Sequence, residues 1–167
     1  HLTNTRFEGE LVEHRFIRVM GRNKDLAIEL IQPIDGPSSF QHMLDTVGEG
    51  VHHVSLTQST AFNVDALNKT LDELDISIRQ TGTIYDVADV YLLDTRSLVS
   101  NVMFEVVCPK TENWQASMTP DEVFDIDLTL LGPKLLPTAN MLHLGVVCKD
   151  RDVAKAGLTK LFSMTDW

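Results

Sequence analysis

The chain has 167 residues, 43% of them hydrophobic, and its 14 Lys and Arg against 24 Asp and Glu leave a net charge of −10. That size and composition suit one or two small globular domains with a real core. The acidic balance, without a basic run, excludes nucleic acid and anionic membrane surfaces as partners, since both are bound through clustered Lys and Arg.

The first ten residues, His1 to Glu10, are polar, and His14 to Gly21 reads as a strand. Arg22 to Asp25 makes a charged turn, and Leu26 to Gln32 returns as a second strand, so residues 1–33 form a hairpin. Residues 34–50 are a loop and a short helix, with Phe40, Met43, Leu44 and Val47 at helical spacing and Gly48 as the C-cap. Residues 51–113 begin with the strand Val51 to Leu56, which carries His52 and His53. A helix follows with Ala66, Leu67, Leu71 and Leu74 as its buried stripe. A second hairpin then uses Ala88 to Asp94 and Val102 to Cys108.

In residues 114–140, Thr119-Pro120-Asp121-Glu122 has the form of a capping box opening a helix, and Pro133 to Asn140 reads as a linker. Residues 141–167 give a strand at Met141 to Val147 and a helix from about Arg151. Cys108 and Cys148 lie in apolar runs and read as buried free thiols of a reducing compartment. No apolar run approaches the roughly 20 residues that cross a bilayer, and the N-terminal stretch has no signal-peptide pattern; a cytoplasmic location is expected.

The middle of the chain therefore holds a full strand, helix and three-strand unit, while its two ends hold complementary halves of another. His53 to Glu105 spans 52 residues, and the path from His143 through Trp167 and on from His1 to Glu29 spans 53. Permuted gene order, exchange between two chains, or a piece of a longer tandem array would each produce this match.

Four residues fall at equivalent places: His53 and His143 on first strands, Glu105 and Glu29 on last strands. Each carboxylate interrupts an apolar strand, where an unpartnered charge costs several kcal/mol. A single strand histidine is more often a hydrogen-bonded core residue; repetition at matched spacing is what singles out the set. Two imidazoles and two carboxylates suit a divalent metal, namely Co, Ni, Mn, Zn or Mg. His52 points to the opposite face and reads as packing or as a support for the ligands more than as a ligand, and His14 and His42 read as surface or core residues.

On these residues the chain resembles the vicinal oxygen chelate superfamily, which includes glyoxalase I, methylmalonyl-CoA epimerase and bleomycin-resistance proteins. Ile28 to Pro33 with Gly48 to Val54 is similar to the matching stretch of methylmalonyl-CoA epimerases, and Leu142 to Val147 with Asp150 resembles the start of such proteins. The resemblance implies an α+β fold of paired βαβββ modules, here in permuted or swapped order. It also implies removal of a proton alpha to a carbonyl while a metal holds the resulting negative charge. Glu10, Glu13, Glu29 and Glu105 are the candidate bases. The implied substrates are an acyl-CoA, an alpha-keto compound or a glutathione adduct, and by analogy the protein is a homodimer. Arg15, Arg18, Lys24 and Arg79 are the cations available to a CoA group. Three functions follow: an epimerase or isomerase, a glyoxalase-type lyase, or a metal-free module that sequesters a small molecule.

Overall fold

The computed structural model describes residues 2–22, 26–99, 101–123 and 143–164. Its strands are β1 (Leu2–Phe7), β2 (Glu10–Leu11), β3 (Arg15–Arg22), β4 (Ala27–Asp35), β5 (His53–Thr57), β6 (Ile78–Ile84), β7 (Ala88–Leu93) and β8 (Met103–Pro109). Helices α1 (Ser39–Thr46), α2 (Val64–Leu74), α3 (Arg96–Val99) and α4 (Arg151–Phe162) lie between and after them. The fold is α+β. Six strands form one sheet in the order β2-β1-β6-β7-β8-β5, and β3 and β4 form a separate two-stranded sheet. Within the larger sheet, β5 runs parallel to β8 and the other neighbours are antiparallel.

The expected first hairpin is present, with Met20 opposite Glu29 and Val19 opposite Leu30. Strand β1 was not expected, because its Leu-Thr-Asn-Thr-Arg-Phe run lacks apolar alternation. Its order comes from pairing with β6, where Leu2 sits against Gly82, and a Cβ there would stand 2.8 Å from the leucine side chain. The register slips between Thr3 and Arg6, and Asn4 adopts φ 51° at that irregularity. Strand β5 starts two residues later than Val51.

Helix α1 begins where Ser38 Oγ accepts the Gln41 N–H, and ends where Val47 and Gly48 both donate to the Met43 carbonyl. Gly48 has φ 94°, the left-handed conformation that glycine supplies at a helix end. Helix α2 is capped by the Asn63 side chain, which accepts from the Asp65 and Ala66 N–H groups.

Register parity divides the larger sheet into two faces. One face presents Val54, Leu56, Leu93, Phe104 and Val106, which pack beneath α2 and α4 around Leu71, Ile76, Val99 and Ala154. The other presents His53, Ser55, Glu105, Gln80 and Val90. Helix α1 and the separate hairpin lie on this second side, as contacts from Ser39 to Gln80 and from Glu29 to His53 establish.

Three expectations are corrected. Residues 143–148 join neither sheet; Val146 and Cys148 instead half-bury their side chains against Val99, Phe104 and Ala154. The C-terminal piece thus packs on the central unit instead of completing the N-terminal hairpin. Residues 119–123, where the capping box should open a helix, are not helical, and the continuation of that expected helix lies outside the described residues. The chain forms a 3-10 turn at Trp114–Ser117, where burial of Trp114 and Met118 against Val90 and Val107 sets the path. The thiols are free, as expected, but only half-buried, and burial with the Asp89 charge pushes Cys108 up to about 11. The linker Pro133 to Asn140, the residues Met141 and Leu142, and Lys24 lie outside the described residues. Among the described residues no helix is long and apolar enough to cross a membrane.

Candidate functional site

His53 opens β5, and its place on the inner face follows from pairing with Met103, two residues before Glu105. Ser55, directly opposite Glu105, donates its hydroxyl to Glu105 Oε2 at 2.6 Å. His53 Nε2 stands 3.7 Å from that same oxygen and 3.4 Å from Glu29 Oε2 on β4. Arg18 Nη1, on the adjoining β3, is 3.5 Å from Glu29 Oε1. Three residues far apart in sequence therefore converge, and the His53 side chain at their centre is only 8% exposed.

The electrostatics match this geometry. Burial lowers the His53 pKa, but its hydrogen bond with Glu29 and the charges of Glu105 and Glu29 raise it above the ordinary value. Burial raises the Glu29 pKa, and His53, Arg18 and His52 together bring it below the ordinary value. Both shifts have one cause, the closeness of His53 and Glu29, each of which favours the charged form of the other.

Beside it stands a stack of rings. His52 packs on Phe40 with centroids 4.8 Å apart, Phe40 on Phe16 at 5.4 Å, and Phe16 on His14 at 5.3 Å. Burial, with the neighbouring His53 charge, pushes His52 down to about 4, so its ring is neutral at pH 7.

The structure brings together His53, Glu29 and Glu105, three of the four expected ligands. His143 is exposed, and among the described residues it has no contact with this cluster. Its segment forms no ladder with β4, so nothing carries it to the site. Glu10 is exposed on the edge strand β2, and Glu13 is exposed in the link to β3; among the described residues, the hydrogen bonds and ion pairs of the cluster involve neither. Of the cations available to a CoA group, Arg15 is paired with Asp35, and Arg79 with Glu8 and Asp94. Among the described ones, Arg18 is at the cluster. Sequence reasoning gave Ser55 no role, named Arg18 only as a cation for a CoA group, and read His52 as packing or as a support for the ligands on the opposite face, whereas its ring lies beside that of His53. Arg18 precedes Glu29 by eleven positions, and only the hairpin register places them together.

Among the described residues no set of three or more His, Cys, Asp and Glu side chains stands ready-grouped to hold a metal ion. The trio meets at ion-pair distances about His53 as its centre. The donor types still suit a divalent cation: one imidazole nitrogen faces two carboxylate oxygens. Two ligands each about 2.1 Å from one ion, at a roughly tetrahedral angle, lie about 3.4 Å apart, close to the gaps observed at 3.4 and 3.7 Å. A recess of about 510 Å³ lies along Thr3, Asn4, Glu13, His14, Arg15 and Asp35, and none of the three cluster residues lines it. Compared with protein-family models and with curated proteins, the chain matches none.

Proposed function

We propose that the protein is a metal-dependent isomerase or epimerase of the vicinal oxygen chelate type, similar to methylmalonyl-CoA epimerase, which removes a proton alpha to a carbonyl. The observation that carries the proposal is the convergence of His53, Glu29 and Glu105 from β5, β4 and β8, with one imidazole nitrogen facing both carboxylates. The finer fold reading, paired βαβββ modules in permuted or swapped order, belongs to the same proposal. It is supported by the succession of β5, α2, β6, β7 and β8.

His53, Glu105 and Glu29 would hold the ion, whether Co, Ni, Mn, Zn or Mg. When bound, it supplies positive charge that stabilises negative charge developing on a substrate oxygen. Ser55 tethers Glu105 and keeps it in place. Glu29 sits on the separate hairpin with no hydroxyl tether among the described residues, and we assign it as the base. Released from the ion, its oxygen would take the alpha proton, and protonation of the opposite face of that carbon by a water molecule, with the Glu29 proton passing to solvent, gives the epimer. Arg18 beside it offers a cation to an anionic part of the substrate. The same groups suit an acyl-CoA, an alpha-keto compound or, in a glyoxalase I-type lyase, a glutathione adduct.

One observation favours a second reading, a metal-free module that binds a small molecule. Arg18 and His53 stand at ion-pair distance from Glu29 and Glu105, so a protonated His53 would balance the two carboxylates without a metal.

Metal content of protein purified without chelator decides between the two. About one divalent ion per site, absent from His53→Ala and Glu105→Ala, is the expected result. The metal-loaded protein should then exchange the alpha proton of one of the three substrate types with deuterium in D2O. No uptake of cobalt, nickel, manganese or zinc sinks the enolisation reading and leaves the binding module. The proposal also keeps the homodimer, supported by the apolar outer face of the hairpin, where Ile17, Val19, Ile28, Leu30 and Ile34 are exposed.

A further inference from the structure

His52 is a buried polar group that the proposed chemistry leaves unused. Its ring meets the His53 ring edge-on, at 90° and with centroids 5.2 Å apart. The two Nδ1 atoms are 2.9 Å apart. Two ring nitrogens at that distance share one hydrogen, so one ring donates and the other accepts through its lone pair.

His53 decides the direction. For its Nε2 to present a lone pair towards Glu29 and Glu105, its own hydrogen must sit on Nδ1. His52 Nδ1 is then the acceptor, and the His52 hydrogen moves to Nε2. Among the described residues that buried nitrogen has no hydrogen-bond partner. The reverse arrangement places a hydrogen on His53 Nε2, between the ring and Glu29, where an arriving cation would have to displace it.

We propose that His52 is a positioning residue, which accepts the His53 Nδ1 hydrogen and so leaves the His53 Nε2 lone pair free for a cation held together with Glu29 and Glu105. The role rests on the reading of His53, Glu29 and Glu105 as cation ligands. Phe40, Phe16 and His14 pack in series behind His52, with Phe40 tilted 55° to its ring, and restrict how that ring can turn.

Cobalt(II) alone is the probe. Its affinity is measured for the parent, His53→Ala, His52→Phe and His52→Asn, together with the cobalt-shifted proton resonance of the His53 ring N–H in water. Phenylalanine keeps the packing on Phe40 but offers no lone pair; asparagine loses the ring but can place its amide oxygen near the Nδ1 position. His52→Phe should weaken cobalt binding by about 10–100-fold, and its ring N–H signal should vanish through exchange with water. His52→Asn should retain most of the affinity and the signal. A purely structural role predicts the opposite order, and observing that order overturns the proposal. If the parent binds cobalt, His53→Ala does not, and both His52 variants bind as the parent does, the positioning role fails while the metal reading stands. If the parent binds no cobalt, both fail. His52→Leu replaces the phenylalanine variant if thermal unfolding shows that it does not fold.

Discussion

Gln80 is 2% exposed, and its side-chain oxygen accepts both the backbone N–H and the hydroxyl of Ser39 at 2.8 and 3.0 Å. This pins the first residue of α1 to the inner face of the sheet, and with it Phe40 and the ring of His52. Gln80→Leu removes the acceptor at similar volume and leaves two buried donors unsatisfied. A loss of about 2 kcal/mol is expected from the urea-unfolding midpoint; a change within experimental error would show that Ser39 finds another partner. Asp94 is a second residue whose partners are distant or hidden from local pattern. It accepts from Arg96 Nε and Nη2, each at 2.6 Å, and Arg79 stands 3.9 Å away. The hydrogen bonds from Arg96 hold its carboxyl below the ordinary 3.8. A depressed carboxylate stabilises the fold above that ordinary value, and the stabilisation disappears as pH falls through the folded value. Asp94→Asn should therefore cost about 1 kcal/mol at neutral pH, given partial exposure, and flatten the acid limb of stability against pH. A variant whose acid limb keeps the parent's slope refutes that assignment. At this scale His53, Glu29 and Glu105 were legible because a polar group interrupts an apolar strand at each. Ser55, Arg18, His52 and Gln80 were not, since each acquires its role from a partner across the sheet or in another element.

At the scale of elements, the hairpin of β3 and β4 governs the site because it carries Arg18 and Glu29. Its far end is closed by Gly36, with φ 79°, where a Cβ would lie 2.2 Å from the Glu13 carbonyl oxygen and 2.7 Å from His14 Cα. Both groups are backbone and cannot yield. Gly36→Ala is expected to cost about 2 kcal/mol or more through strain and overlap, lowering the thermal midpoint and displacing Glu29 from His53. Retention of the parent midpoint would show that the turn has another accessible conformation. The hairpin, α1, α2, β7 and β8 were readable because alternation, helical stripe and caps are local signals. Strand β1 escaped because an edge supplied by β6 stabilises its mostly polar run. The run from His143 to Val147 misled in the other direction. It has strand-like residues, yet Val146 finds burial against Val99, Phe104 and Ala154 without joining a ladder.

Over the whole molecule, α2 and α4 cover one face of the six-stranded sheet, and α1 and the hairpin approach the other. The hairpin contributes two unlike surfaces. Its inner side carries Arg18 and Glu29, whereas its outer side shows Ile17 at 53%, Ile28 at 54% and Leu30 at 64% exposure without a charged residue among them. A two-stranded sheet with an uncovered apolar face is marginal in water. Under the homodimer reading, Leu30→Asp should shift the protein from dimer to monomer in sedimentation velocity and leave far-UV circular dichroism unchanged. A parent that sediments as a monomer at all concentrations removes that reading. The sequence alone determined the α+β class, the central strand, helix and hairpin succession, and the two carboxylates and one histidine worth pursuing, because these depend on the spacing of polar and apolar side chains along a few residues. Only the tertiary structure decided that His143 stays apart, that the C-terminal piece packs on the central unit, and that Arg18 meets Glu29, Ser55 meets Glu105 and His52 meets His53. Those outcomes depend on which strand edges pair and which apolar faces meet, and contacts between residues far apart in the chain leave no mark in local periodicity.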